Sequence, residues 1–205
     1  MSVFLQDSNS LVVKPDNLIE IITHIKKQFP EVERITSYAR SATVIRFSDE
    51  DLKRMADAGL NRIHIGMETG SDTILKLVSK GASKAQHILA SQKVKAAGIQ
   101  LSEYYIPGLG GKEYSDLNAL ETADALNQIN PDFIRIRTFA VTDHSQFKED
   151  YKLGIFTRTN DTKIIEELLF MIENLKGITS TIISVTISSI FFLRRRATYQ
   201  MIKKR

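Results

Sequence analysis

The sequence predicts an α/β chain folded as a partial (β/α)6, TIM-like parallel barrel. Two observations lead there. Short apolar or alternating runs begin at residues 3, 35, 62, 99 and 133, and amphipathic runs separate them. The recurrence, roughly 30 residues, is the size of a β–α–β unit. Strands joined by helical crossovers pair in parallel, either in an open doubly wound sheet or in part of an α/β barrel.

The elements follow in order. Val3–Asp7 reads as the first strand. Pro15 then suits a first helical turn, and Leu18, Ile21, Ile22, Ile25 and Phe29 follow at helical spacing. Ile35–Arg40 is the second strand. Ser48 and Asp51 stand where a capping residue and its partner belong, Leu52, Met55 and Ala56 form the stripe, and Gly59 closes the helix. Arg62–Glu68 is the third strand. Ser83 and Gln86 open a helix that carries Ile88, Val94 and Ala97 inward and ends at Gly98. Ile99–Ile106 is the fourth strand. Leu117, Leu120, Ala123, Leu126 and Ile129 mark another helix, and Phe133–Ala140 the fifth strand. Residues 1–177 form this unit. From 178 to 205 the chain is β-branched and rich in Ser and Thr, then basic, which predicts a strand or an aggregation-prone tail.

Composition narrows the function classes. The 205 residues carry a net charge of +4, with 42% hydrophobic and 25% charged residues. Six of the 28 basic residues are Arg194, Arg195, Arg196, Lys203, Lys204 and Arg205, so the rest of the chain is slightly acidic against its 24 Asp and Glu. The basic balance therefore predicts no nucleic-acid partner. The apolar tail is short and hydroxyl-rich for a membrane span, and no signal peptide opens the chain, so a cytoplasmic location is expected. There is no cysteine, which excludes disulfides, thiol nucleophiles and thiolate metal sites within this sequence.

The strands alternate in a way that suggests a ligand site. Ile63, Ile65 and Met67 share one face of their strand, and His64, Gly66 and Glu68 share the other. Ile134 and Ile136 likewise oppose Arg135 and Arg137. One polar face per strand fits a barrel interior. Asp7, Arg40, Glu68 and Arg137 gather at strand C-terminal ends, where α/β barrels bind ligands; structural ion pairs across the mouth are the alternative. Gly66–Asp72 and Ile106–Glu113 are glycine-bearing strand-to-helix turns. Their amides suit an anion and their glycines the close approach of a flat ligand, or they are ordinary tight turns. His24 and His87 are expected at the surface or its boundary, and His64 as a hydrogen-bonded core residue.

At these residues the sequence resembles the radical S-adenosylmethionine (radical SAM) superfamily. Phe4–Leu11, with Gln6, Asp7, Ser8, Asn9 and Ser10, is similar to its second-strand region. Ser37-Tyr38-Ala39-Arg40 is similar to the third strand and Leu60–Asp72 to the fourth. Gly98–Gly111 is similar to the fifth, and Asn130–Arg137 to the approach to the sixth. The resemblance runs in order over about residues 3–175 and is closest to the subgroup of oxygen-independent coproporphyrinogen oxidases and Elongator-type catalytic subunits. It implies Asp7, Ser8 and Asn9 near the amino acid of S-adenosylmethionine. It places Glu68 near the ribose or carboxylate, and Ile106, Gly108 and Gly110 near the adenine. Arg40 and Arg137 become cofactor or substrate contacts. The family holds a [4Fe–4S] cluster on three cysteines after its first strand and cleaves S-adenosylmethionine reductively. The cluster is therefore implied, but its ligands are absent here.

The expectation is a family member lacking the cluster-binding front end and inactive as written. It keeps possible affinity for S-adenosylmethionine, binds no metal, and has an open barrel edge that self-associates or takes a partner chain. Family members continue with acidic helical sequence, so a frameshift near residue 185 is expected to account for the tail. The rival readings are a non-enzymatic partner-binding half-barrel and an unrelated α/β-barrel enzyme acting on a phosphorylated ligand.

Overall fold

A computed structural model describes residues 1–139, 150 and 157–184. Six strands form one parallel sheet in the order of the chain. They are β1 (Ser2–Leu5), β2 (Arg34–Ala39), β3 (Leu60–Glu68), β4 (Gln100–Tyr105), β5 (Phe133–Ile136) and β6 (Thr181–Ser184). A doubly wound sheet reverses its order at a switch point. This one never reverses, which is the progression of a barrel wall. Among the described residues β1 and β6 do not pair with each other, so the wall stays open.

The helices are α1 (Pro15–Gln28), α2 (Ser41–Arg46), α3 (Asp49–Ala58), α4 (Asp72–Leu77), α5 (Lys84–Ala96), α6 (Ser115–Ile129) and α7 (Asp161–Glu173). The caps read from sequence form. Ser48 Oγ accepts from the Asp51 amide at 3.0 Å, and Gly59 closes α3 at φ 118°. Ser83 and Gln86 exchange both bonds of a capping box.

Several boundaries differ from the sequence reading. The first strand stops at Leu5 and the fifth at Ile136, and Ala140 lies outside the described residues. Ile21 and Leu120 are exposed, because each helix buries a narrower stripe than its apolar spacing allows. The sheet also continues past residue 177. Thr181–Ser184 pairs with Phe133–Ile136, and the Thr181 amide reaches the Asp132 carbonyl at 2.9 Å. Residues 185–205, and with them the frameshift expectation, lie outside the described residues.

The core lies between the sheet and its helices. Ile35, Ile63, Ile65, Met67, Leu101, Ile134 and Ile136 project from the strands. Leu18, Ile22, Leu52, Met55, Val94, Leu126 and Leu168 meet them from the helices. Fully burying one such side chain contributes about 1.5–3 kcal/mol. The alternation of the strands then leaves the opposite, concave face to the polar and aromatic residues.

Candidate functional site

That concave face is floored by rings. Phe4 lies 4.8 Å from Tyr38, Tyr38 5.5 Å from His64, and His64 5.8 Å from Tyr104, centroid to centroid. The Tyr38 and Tyr104 hydroxyls stand 3.4 Å apart. Arginines border the rings. The Arg137 guanidinium sits 4.6 Å from the Tyr104 ring centre, and Arg62 lies 4.0 Å from that of Phe133. Arg135 Nε donates to Ser102 Oγ at 3.0 Å. His64 is buried, but its Nδ1 has no hydrogen-bond partner among the described residues, unlike the bonded core histidine expected. Burial first, then the charges of Arg135, Arg62, Arg137 and Arg34, lower its pKa to about 4, so the ring is neutral at pH 7.

The sequence-predicted residues lie along the C-terminal rim above this floor. Asp7 adopts φ 105°, and its Oδ1 accepts from the Ser8 amide at 2.6 Å; both residues are exposed. Asn9 is committed to the protein. Its Oδ1 accepts from the Arg40 amide at 3.0 Å and its Nδ2 donates to Thr43 Oγ1 at 2.9 Å, which binds the β1 loop to the start of α2. Glu68 ends β3 at φ 68°, after a register shift against β4. Its carbonyl accepts the Ile106 amide at 2.9 Å, and its carboxylate pairs with Lys80 Nζ at 2.6 Å. The Arg137 amide bonds the Tyr105 carbonyl at 2.8 Å. Backbone bonds thus join Glu68 to Ile106 and the end of β4 to Arg137.

The two glycine turns serve packing. Gly70 donates to Thr122 Oγ1 at 2.9 Å and Ser71 to Thr69 Oγ1 at 3.1 Å, so neither amide remains for an anion. A Cβ on Gly70 would stand 2.3 Å from the Glu121 carbonyl oxygen. At Gly108, φ is +80° and a Cβ would meet Thr159 at 3.0 Å; at Gly110 it would meet Ile74 at 2.7 Å. Close helix packing demands these glycines. The loop they belong to is held by Glu167 of α7. This buried carboxylate accepts from Tyr105 Oη (2.8 Å), the Gly108 amide (3.0 Å), Ser115 Oγ (2.7 Å) and Asn118 Nδ2 (2.7 Å).

Sequence reasoning missed Glu167, Lys80 and the Tyr38–Tyr104 pair. It also placed His87 at the surface or its boundary, whereas His87 is buried with Nδ1 2.6 Å from Ser41 Oγ; His24 is exposed, and His144 lies outside the described residues. A signal for Glu167 existed. Ile164, Leu168 and Met171 form a helical stripe, and Glu167 falls inside it. Lys80 follows α4 in a loop and carries no local signal. Among the described residues no group of three or more His, Asp or Glu could hold a metal, and no helix is long and apolar enough to cross a membrane.

Comparison with known proteins agrees with this fold. The family model of the radical SAM superfamily matches residues 8–123. The tRNA uridine(34) acetyltransferase of Methanocaldococcus infernus is 25% identical over 124 residues, covering 60% of this chain and 23% of that protein. The heme chaperone HemW of Lactococcus lactis is 20% identical over 163 residues, covering 79% and 42%. Among solved structures, the archaeal M. infernus Elp3 superposes with a TM-score of 0.69 at 16% identity, over 89% of this chain and 46% of that one. Coproporphyrinogen III oxidase (HemN) from Escherichia coli gives 0.66 at 13% identity, over 84% and 40%. The chain spans less than half the length of the curated relatives it matches.

Proposed function

The chain belongs to the radical SAM superfamily, and from that membership we propose that its rim is the S-adenosylmethionine-facing end of such a barrel, without a cluster of its own. The observation that carries this is backbone strain. Asp7 and Glu68 are two of the four non-glycine residues in the left-handed region among the described residues, each at or just beyond the C-terminal end of a strand; Glu68 lies within the family-matched residues 8–123 and Asp7 directly before them. Such a conformation costs on the order of 1–3 kcal/mol and gathers at ligand sites.

The residues present fit an adenosyl amino acid. Asp7 and Ser8 are exposed acceptors for its amino group. Arg40 is a cation for its carboxylate. Glu68 offers acceptors to ribose hydroxyls, and Ile106 an apolar edge to adenine. Asn9, Gly108 and Gly110 act by holding their loops, since their bonds and contacts go to the protein. Arg137, on the inner face beside Tyr104, faces whatever lies next to the cofactor.

The cluster does not fit. The 205 residues contain no cysteine, and a thiolate-ligated cluster would need ligands from outside them. No radical step is therefore derived for this chain. Nor does a substrate carry over: the relatives are named as an acetyltransferase and a heme chaperone, and each is matched over less than half of its length. Nothing in the comparisons supports an unrelated barrel enzyme.

Calorimetry with S-adenosylmethionine tests the reading. Weak binding is expected, weakened further by Glu68→Ala and by Arg40→Ala. Absence of heat at millimolar ligand sinks it. Anaerobic reconstitution with iron and sulfide should leave the chain colourless; a stoichiometric cluster would overturn the second half of the proposal.

A further inference from the structure

Among the described residues the concave face carries a group of arginines. Arg62, Arg135 and Arg137 border the aromatic floor, and among the described residues the nearby carboxylates are already engaged. Glu68 pairs with Lys80 at the rim. Asp132, at the foot of β5, accepts the Leu101 amide at 2.8 Å. Arg62 spends Nε and Nη2 on Gln100 Oε1. Among the described residues Arg135 spends only Nε, and Arg137 lies over Tyr104, exposed. These two stand two residues apart, Arg135 on β5 and Arg137 just beyond its end, about 6.6 Å between Cα atoms if the chain stays extended.

A second observation points to the same place. His64 is 5% exposed, and its Nδ1 lacks a protein partner among the described residues. Buried polar atoms are nearly always hydrogen-bonded. Arg135 stands close by: its guanidinium donates to Ser102, the register partner of His64.

We propose that the mouth of the sheet takes an organic dianion, bearing carboxylate or phosphate groups. One group lodges on Arg137 beside the Tyr38 and Tyr104 hydroxyls, and the other on Arg135 beside His64. A forked guanidinium suits either group, and two at this spacing select two negative ends over one. The inference rests on reading the rim as the ligand-facing end, but not on S-adenosylmethionine being the ligand there.

Titration of the full chain with isophthalate, inorganic pyrophosphate and neutral isophthalamide tests it. At least one dianion should bind about tenfold tighter than the diamide, as one charge-assisted hydrogen bond allows. The tighter of the two names the carboxylate or the phosphate source. Arg135→Gln and Arg137→Gln should each weaken binding about fivefold or more, while Arg54→Gln on exposed α3 should not. In the unmutated chain the His64 ring resonances should shift on titration and those of exposed His24 should stay. Equal affinity for the diamide, an unmoved His64, or an equal effect of Arg54→Gln overturns the proposal. S-adenosylmethionine is titrated separately. Its failure alongside dianion binding sinks the cofactor reading alone, and the reverse result sinks this inference alone.

Discussion

Two carboxyl groups in the helix-facing layer show how neighbours set a residue's role. Glu103 is fully buried, with Ser91 Oγ donating to it, and burial raises its pKa to about 8. The folded state therefore holds a proton that the unfolded chain releases near pH 4.5. Between those values folding binds the extra proton, so stability is greatest below the window and falls as pH rises through it. Each pH unit contributes about 1.4 kcal/mol at most. Glu103→Gln should flatten the difference in urea midpoint between pH 5.5 and 8.5; an unchanged difference would refute this. Burial also raises the pKa of Glu167, but there four donors favour the charged form. Glu167→Ala leaves them unpartnered and should cost roughly 3–5 kcal/mol, read as a lower denaturant midpoint. The place of Glu167 in an apolar stripe was legible in the sequence. Its four partners were not, because they come from β4, its following loop and α6, 49–62 residues away.

At the scale of elements, what is local was legible. The caps of α3 and α5 involve residues three apart: Ser83 and Gln86 form the full capping box, whereas at Ser48 and Asp51 only the bond to the Ser48 hydroxyl forms. The six-residue helix α2 is too short to show a period and escaped; α4 was anticipated only as a helix start at Asp72, and α7, despite its apolar stripe, escaped as well. The glycine turns were found, but their purpose was not. Gly70 and Gly108 are required by α6 and by residues 159 and 164, contacts that no local pattern records. The two kinds of feature should differ in cost. Ser48→Ala removes one cap and should cost about 1 kcal/mol. Gly108→Ala meets both an unfavourable φ and close neighbours and should cost roughly 2–4 kcal/mol. Equal thermal midpoints for the two variants would contradict this account of the loop.

Across the whole molecule, parallel pairing was legible from the spacing and crossovers of the strands, which left a doubly wound order open, and the polar inner face was legible from alternation. The open wall follows from the observed strand order. Outer strands with unpaired backbone groups invite pairing with another chain. Sedimentation velocity should therefore show association that grows with protein concentration; a monomer at every concentration would count against it. The Glu167 clamp has a consequence in time. During synthesis the Gly108 amide leaves the ribosome 59 residues ahead of the carboxylate that receives it. At about 5–20 residues per second that is a delay of roughly 3–12 s. For that interval the nascent loop has β1–β4 beneath it, with β5 still emerging and β6 not yet made, and no anchor above, so a chaperone or a ligand arriving then meets a different rim from the one the completed chain presents.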